Sequence, residues 1–485
     1  MIELGTRREL FWDDFLVDTK KNTARLQQHR PHKREMVMEF NMPWEGDGCS
    51  YFQIVENGGR YRMYYGAGMI DKAGDITHMK ICFVESDDGK HWVRPSLGLH
   101  EYEGSRDNNI ILVREAPLEF DNFFVFIDTN PNCPAEEKWK GIGMIENRSK
   151  PFPAERELWC YVSSDGIRFT KSYIVTDGSV KNGGIFDSLN TAYWDEKDQK
   201  YKMYVRGIHG KEEIRDVRYM ESPDFKNWSE PVLLQFGEEA EDYPLYTNVI
   251  SRYYRAPHML TGFPSRYVQR RGWNKNFEQL CGEKGVEKRR IIMEDLYRAG
   301  LTVTDCVFMT SRDGINWHRF DEAFVTAGIE RRTNWVYGDC YPTYGMIQTK
   351  SDEAFAPDEI SMYIHEGRRW GVSTQLYRYT MRQDGFASYR ADYQPCELYT
   401  KPFTFSGSKL KINFSTSARG YLFITLCDRY GKPIEGYESC ELFGDALDRT
   451  VYFGENCNVS ELAGEAVTMR IVMSDADIYS FVFEE

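Results

Sequence analysis

Residues Ser86-Asp87-Asp88-Gly89-Lys90-His91-Trp92 carry a pattern that returns along the chain and indicates the fold. The pattern is Ser-x-Asp-Gly with an aromatic residue shortly after the glycine. Ser and Asp side chains accept hydrogen bonds from backbone N–H groups in a turn, and glycine takes the position with positive φ. The aromatic residue is expected to fold back onto the sheet. Each copy therefore predicts a hairpin tip.

Further copies follow at intervals of about 60 to 90 residues, which marks a structural repeat. They are residues 163–169, residues 311–317, the glycine-free residues 222–228 and the incomplete residues 382–386. Apolar strands precede them, some of the type Tyr61-Arg62-Met63-Tyr64. Short strands with a periodic glycine and aromatic motif are typical of a β-propeller, and five units predict five blades. A long β-sandwich is the alternative, but it would lack this repeat.

The length of the chain and the residue pattern of its C-terminal part predict a second domain. A chain of 485 residues exceeds one ordinary core. Residues 409–414 and 420–426 alternate apolar and polar with period two, which predicts a small antiparallel β-sandwich. We therefore expect an all-β protein, with a five-bladed β-propeller over residues 1–400 and a β-sandwich over residues 401–485.

One segment departs from the β pattern. Residues 265–300 are charged and favour helix, which predicts a helical insertion in the fourth blade. The simplest interpretation is that this segment is a solvent-exposed helical insertion, and the alternative is that it forms a lid or a dimer contact.

Composition excludes several classes of partner. The net charge is −14 and no basic stripe is present, which argues against nucleic acid and anionic membranes. The N-terminus lacks signal-peptide features and no run of 18 apolar residues occurs, so a cytoplasmic location is expected. The eleven cysteines form no Cys-x-x-Cys pair and are expected to be reduced core residues. No metal-ligand spacing is found, so no metal or other cofactor is expected, and the question of a homo-oligomer stays open.

In a propeller, ligands bind at the mouth of the funnel that the innermost strands line. Aligning the repeats places an aspartate at the start of this strand in four blades, and the fourth blade begins instead with residues 245–248. A ring of carboxylates lets one carboxyl stay protonated while its neighbour is ionised, which cleavage of a glycosidic bond requires. Capping of a turn is the alternative for each single aspartate. The aspartates are Asp47, Asp121, Asp187 and Asp339.

On these residues the sequence resembles the five-bladed propeller glycosidases, such as glycoside hydrolase families 32 and 43. The resemblance covers about residues 8 to 400, and for the fructan-cleaving branch it extends to the C-terminal sandwich. Residues 10–17, Leu-Phe-Trp-Asp-Asp-Phe-Leu-Val, are similar to the start of bacterial proteins of this superfamily. The resemblance implies that Asp47 is the nucleophile or base, Asp121 the transition-state or pKa modulator, and Asp187 the general acid. Those families usually carry Glu as the acid, and Asp187 departs from that pattern, so the substrate does not carry over.

Further candidates come from the residues themselves. Asp128 is a rival to Asp121, although an Asp-Thr-Asn-Pro run also suits a turn cap. Glu366 is a rival for the acid, with a surface pair to Arg368 as the alternative. Arginine forks, histidine and aromatic rings are suited to binding sugar hydroxyls or a carboxylate, although a lone histidine is often structural. The candidate substrate-binding residues are Trp44, Arg206, Tyr246, Arg255, His258 and Asp339.

The sequence thus predicts a glycoside hydrolase that acts on a short oligosaccharide or glycoside, with a carbohydrate as its partner. The first alternative is an intracellular glycoside phosphorylase, which needs a cationic phosphate pocket. The second is a carbohydrate-binding propeller without catalysis. The candidates for the phosphate pocket are Arg255, Arg266, Arg270 and Arg271.

Overall fold

The computed structural model describes residues 1–70, 76–114, 119–147, 155–176, 186–295 and 297–485. Within these residues the predicted all-β architecture is confirmed, with a five-bladed propeller and a C-terminal sheet that forms a sandwich. No helix in this part of the chain is long and apolar enough to cross a membrane.

Each blade is a four-stranded antiparallel sheet whose strands run outward from the central axis. Blade 1 contains Ser50–Asn57, Arg60–Ile70, Ile76–Ser86 and Ile110–Val113. Blade 2 contains Glu119–Ile127, Trp139–Asn147, Glu155–Ser163 and Thr170–Thr176. Blade 3 contains Thr191–Asp195, Lys200–His209, Ile214–Ser222 and Val232–Leu233. Blade 4 contains Ser251–Tyr253, Ala256–Gly262, Met309–Ser311 and Trp317–Arg319, and blade 5 contains Ile347–Thr349, Glu359–Glu366, Thr374–Met381 and His32–Phe40.

The ring is closed by a strand from the N-terminal part of the chain. His32–Phe40 pairs antiparallel with Thr374–Met381 and forms the outermost strand of blade 5. The chain then crosses to the innermost strand of blade 1, so residues distant in sequence hold the first and last blades together.

The predicted turn contacts are present after the third strand of blades 1 to 4. In the first copy the Asp88 carboxylate accepts hydrogen bonds from the N–H groups of Lys90 and His91, and Ser86 Oγ accepts from Gly89 N. Asp165, Asp224 and Asp313 accept from two backbone N–H groups in the same way. These carboxylates complete their own turns, which makes them structural.

These turns also join neighbouring blades. Tyr64 of blade 1 donates its hydroxyl to Gly166 O in the turn of blade 2 at 2.8 Å. A Cβ atom at Gly314 in blade 4 would lie 2.6 Å from Tyr204 Oη of blade 3. The glycine is therefore required both by its positive φ of 84° and by the tyrosine of the preceding blade.

Blade 4 carries an extension. Ser265–Gln269 and Thr302–Cys306 form a two-stranded ribbon, and three helices connect them: α1 (Lys275–Gln279), α2 (Gly282–Asp295) and α3 (Tyr297–Gly300). Ala299 and Ile292 pack against Tyr246, Tyr267 and Tyr337. The helices are therefore not simply solvated, because one side of them covers aromatic side chains at the start of the innermost strands.

The C-terminal sheet has ten strands, and its two longest strands pair along most of their length. Because the sheet also contains strands from both sides of residue 400, the domain boundary at that residue stays a prediction. The strands are Ile2–Gly5, Glu9–Leu10, Arg25–Gln28, Ala387–Ala391, Cys396–Tyr399, Phe403–Phe405, Lys409–Asp428, Pro433–Glu438, Asp445–Thr450 and Val467–Glu484. The remaining elements are two short 3-10 helices, Ala135–Glu137 and Ser460–Leu462.

The incomplete fifth copy of the turn motif lies where the propeller meets this sheet. Asp384 is fully buried, and its carboxylate accepts from Tyr253 Oη at 2.7 Å and from Ser480 Oγ at 2.6 Å. Arg8 and Arg255 approach it at 3.4 and 3.6 Å. This Asp therefore connects blade 4, the N-terminal segment and the C-terminal sheet.

Candidate functional site

The innermost strands begin in a shared conformation that the sequence pattern did not predict. In each blade a non-glycine residue with positive φ precedes or opens the strand, a conformation that L-residues adopt rarely. These residues are Tyr51 (55°), Phe120 (38°), Ser188 (75°), Val249 (44°) and Cys340 (58°). The chain therefore enters the funnel through the same strained turn five times.

These left-handed residues correct the predicted register of the aspartates. Asp187 and Asp339 come directly before Ser188 and Cys340, so those two share a position. Asp47 lies four residues before Tyr51, and Asp121 follows its left-handed residue. The predicted common register thus holds for Asp187 and Asp339 only.

Three of the predicted residues are brought together at the funnel mouth. The Asp187 side chain is 28% exposed, and its Oδ2 lies 3.9 Å from an amino nitrogen of Arg206. Arg206 is buried, donates to Tyr246 O at 3.3 Å, and places its guanidinium 4.7 Å from the centre of the Tyr246 ring. Asp187 is therefore a partly exposed carboxylate on a rigid, buried support.

Buried tyrosines surround this group. Tyr246 stacks on Tyr267 and Tyr341 with ring centres 5.8 Å apart in each pair, and Tyr337 Oη donates to Tyr246 Oη at 2.6 Å. Burial raises the pKa of Tyr246 well above its usual range, and the nearby Asp187 carboxylate adds to this effect. The Tyr246 hydroxyl therefore stays protonated near neutral pH.

The loop after the second strand of blade 5 completes the mouth. Arg368 is 5% exposed and is close enough to Tyr51, Tyr341 and Tyr337 for their charges to interact. Arg369 places its guanidinium 4.7 Å from the centre of the Tyr337 ring. The sequence interpretation that paired Arg368 with Glu366 at the surface is wrong, because Arg368 is buried. The sequence feature that could have indicated these two residues is the Arg-Arg doublet between Gly367 and Trp370, which fits neither a helical nor a strand periodicity.

Asp47 anchors this loop to blade 1. It is buried, its Oδ1 accepts from Ile70 N at 3.1 Å and its Oδ2 accepts from Gly371 N at 2.8 Å. Its own carbonyl accepts from Arg369 N at 3.0 Å. Each carboxylate oxygen has one backbone donor and retains a further lone pair. The carboxylate is thus held in one orientation against the loop that carries the two arginines.

Asp339 is buried at the equivalent position in blade 5. Its Oδ2 accepts from Val336 N at 3.0 Å. Burial raises the pKa of Asp339 to about 7, and the Glu366 carboxylate contributes to the rise. This carboxyl therefore changes its protonation near neutral pH.

Other predicted residues lie elsewhere or are committed to other contacts. Glu366 contacts Lys33 through Oε1 and Arg331 through Oε2 at 2.8 Å, so both of its oxygens have cationic partners. Trp44 donates its indole N–H to Asn109 Oδ1 at 2.9 Å. The side chain of Asp121 lies outside the described residues.

The catalytic interpretation of Asp128 is corrected. It follows the innermost strand of blade 2, at the end away from Asp121, and caps a turn by accepting from Asn130 N at 2.9 Å. Its other oxygen contacts Tyr201 Oη at 2.7 Å and Lys140 Nζ at 3.0 Å. The carboxylate has no exposed surface, so its role is structural.

The substrate-binding interpretation of Arg255 and His258 is also corrected. Arg255 lies in the hairpin tip of blade 4 and contacts Asp384 and Asp448, at 3.6 and 3.2 Å. His258 Nε2 lies 3.5 Å from Glu9 Oε2. Both residues bind acidic partners from outside blade 4 and do not belong to the mouth. Arg266, a candidate for a phosphate pocket, is paired with Asp305 at 2.6 Å.

A groove between blades 1 and 5 is a separate feature. It has a volume of about 760 Å³ and is lined by residues from blades 1 and 5, including Tyr61, Asp88 and Lys350. It lies beside the turn of blade 1, away from the starts of the innermost strands. We identify no group of three or more His, Cys, Asp or Glu residues suited to a metal ion within the described ranges.

Comparisons with known proteins give similarities of fold at low identity. No family model and no curated protein matches the sequence. A GH32 β-fructofuranosidase from Bombyx mori has 10% identity and a TM-score of 0.43, with 94% of each chain covered. The catalytic domain of a GH62 α-L-arabinofuranosidase from Coprinopsis cinerea has 10% identity and a TM-score of 0.42, covering 73% of this chain and 97% of that one. An N-acetylgalactosamine deacetylase from F. plautii has 11% identity and a TM-score of 0.44, covering 73% and 96%. At these values, the function has to be argued from the site itself.

Proposed function

We propose that this protein is a glycoside hydrolase whose reaction takes place at the funnel mouth of the propeller. The observation that carries the proposal is the partly exposed Asp187 carboxylate on its Arg206 and Tyr246 support, facing buried aromatic rings. Aromatic faces and forked arginine donors are suited to binding sugar rings and their hydroxyls.

In this proposal Asp187 is the general acid. Its side chain is exposed enough to reach the oxygen of a leaving group, and Arg206 lies beyond hydrogen-bond distance of it. Glu366 is the weaker candidate, because cations already contact both of its oxygens.

Asp47 is the base or nucleophile. Backbone N–H groups donate to both of its oxygens and hold the carboxylate in one orientation, and each oxygen keeps a lone pair to accept a proton or to attack the anomeric carbon. Asp187 and Asp47 come from the segments that enter blades 3 and 1, and in this proposal they act on the sugar from different parts of the ring.

The partner in this proposal is a carbohydrate, and the substrate is a short oligosaccharide or a glycoside. A phosphorylase is the second candidate, because the mouth holds Arg206, Arg368 and Arg369. The arginines suggested by the sequence for that pocket include Arg255 and Arg266, and both of these pair with carboxylates instead.

The experiment is a screen of aryl glycosides and oligosaccharides, each with and without phosphate, read by the sugar released. We expect release without phosphate from at least one glycoside, and loss of that release in the Asp187→Asn variant. Release only with phosphate would favour the phosphorylase. Binding of a sugar without turnover would favour the non-catalytic alternative.

A further inference from the structure

Arg368 is a buried cation without an anionic partner. It is 5% exposed, its Nε has no hydrogen-bond acceptor, and no carboxylate lies within 4.0 Å of it in the described part of the chain. An unpaired charge in a protein interior is unfavourable, since burial removes its hydration and nothing replaces it. The side chain therefore needs an explanation other than packing.

Other buried arginines of the chain show what a structural arginine has here. Arg378 is fully buried and contacts Glu35 and Glu359, each at 2.7 Å. The partly buried Arg94 contacts the buried Glu45 at 2.8 Å. Arg289 is buried with no carboxylate within 4.0 Å among the described residues, and it lies on α2, where its guanidinium is 5.1 Å from the Phe277 ring.

The positive charge at the mouth is shared by two neighbouring residues. Arg369 is half-buried, its Nε also lacks an acceptor, and the burial of its guanidinium together with Arg368 lowers its pKa. Tyr337 stacks against it, and the buried Tyr341 hydroxyl has no partner. Burial lowers the pKa of His365 to about 3, with a contribution from Arg368, so this imidazole is neutral and adds no further positive charge. Among the described residues, the carboxylate within 4.0 Å of a mouth arginine is Asp187, at 3.9 Å from Arg206.

We propose that Arg368 and Arg369 form a subsite for an oxyanion of the reacting molecules, either the carboxylate of an acidic sugar or inorganic phosphate. Guanidinium groups and a tyrosine hydroxyl are hydrogen-bond donors suited to the oxygens of both anions. The backbone carbonyl of Asp47 accepts from Arg369 N and its carboxylate accepts from Gly371 N, so the loop of the subsite is joined to a proposed catalytic residue. The inference rests on the proposed function because it takes the mouth to be the place where a sugar binds.

The test is calorimetric titration of the full chain with D-glucuronate, D-galacturonate and inorganic phosphate, against D-glucose and D-galactose as neutral probes. We expect at least one anion to bind at least 10-fold more tightly than the neutral sugars, and the Arg368→Met variant to lose at least 10-fold of that affinity. A uronate identifies the substrate carboxylate as the ligand, and phosphate identifies the phosphorolytic co-substrate.

A matched variant separates binding from folding. Arg368→Met removes an unpaired charge, so its Tm should equal or exceed that of the unaltered protein, whereas Arg378→Met breaks paired charges and should lower Tm. Equal binding of anions and neutral sugars, or unchanged anion binding in Arg368→Met, would overturn the subsite. Anion binding without turnover of any glycoside would support the subsite and contradict the proposed hydrolase activity. Turnover of a glycoside together with unchanged anion binding in Arg368→Met would leave the hydrolase standing and remove the subsite.

Discussion

At the scale of single residues, burial gives the aspartates of this chain different chemistry. Asp165 and Asp224 lie at turns and accept backbone hydrogen bonds, which outweigh partial burial and lower the pKa of each to about 2. Asp339 accepts one such bond from Val336 in a buried position, and burial raises its pKa to about 7. The same residue type therefore stabilises the fold in opposite pH ranges.

Asp339 should make the protein less stable as the pH rises from about 4 to 7. Its folded pKa lies above the unfolded value of about 3.9, so the folded state binds more protons in this window and stability falls with rising pH. Asp339→Asn lacks this effect. The difference in unfolding free energy between variant and unaltered protein should therefore grow across the window, by up to about 4 kcal/mol for a shift of three pKa units.

Denaturant unfolding at pH 4.5, 6 and 7.5 measures this difference. Asp224→Asn is the control, because its lowered pKa gives stability that is present above about pH 4 and is lost only as the pH falls through its folded value. A constant difference for Asp339→Asn across the three values would show that its pKa is not raised.

At the scale of elements, the repeated turn was predictable because its contacts are local. Ser311 and Asp313 bind N–H groups within five residues of themselves, so their spacing in the sequence carries the geometry. The missing glycine of blade 3 has a structural reason that sequence spacing did not reveal. Phe225 takes its place with φ of 65° and packs 5.6 Å from Phe126, in a blade interface where Ile142 belongs to the same core.

The mouth could be predicted only in part. Asp187, Arg206 and Tyr246 were identified as candidates, but the contacts that join them span 19 to 40 residues and have no sequence period. Arg368 was misread, because its burial depends on the tyrosines of other blades. Asp128 was misread because a carboxylate that caps a turn and one that lines a funnel have the same sequence pattern.

Asp313→Ala should reduce stability and leave catalysis intact. The variant loses the acceptor for Ile315 N and Asn316 N, which should cost about 1 to 2 kcal/mol by comparison with lost capping residues. Turnover per folded molecule should not change, since the turn lies outside the mouth. Chemical denaturation and steady-state assays check both statements, with the exposed Glu230→Ala as the control. Lost turnover at unchanged stability would refute the structural role.

At the scale of the whole molecule, the fifth copy of the turn motif connects the propeller to the C-terminal sheet. Asp384 is buried between Tyr253 of blade 4 and Ser480 of the C-terminal sheet, with Arg8 and Arg255 beside it. The sheet is thus connected to the propeller by a buried polar network as well as by apolar packing.

Asp384→Ala should destabilise the whole chain strongly, because it leaves two partly buried arginines without this buried carboxylate. We expect a loss of about 3 to 5 kcal/mol, as for other broken buried pairs. Asp448 contacts the same two arginines but is 41% exposed, so Asp448→Ala should cost about 1 kcal/mol or less. Scanning calorimetry compares the two variants. Equal losses of stability would contradict the role of Asp384 in connecting the propeller to the C-terminal sheet.

The central claim is that Asp187 and Asp47 perform the reaction at the funnel mouth. The most direct measurement is kcat/KM of Asp187→Asn and Asp47→Asn on a nitrophenyl glycoside and on an oligosaccharide of the same sugar. Loss of the acid should lower activity on the oligosaccharide at least about 100-fold and much less on the nitrophenyl glycoside, whose leaving group needs little protonation. Loss of the base or nucleophile should lower both. Folded Asp187→Asn protein with full activity on the oligosaccharide would contradict the account.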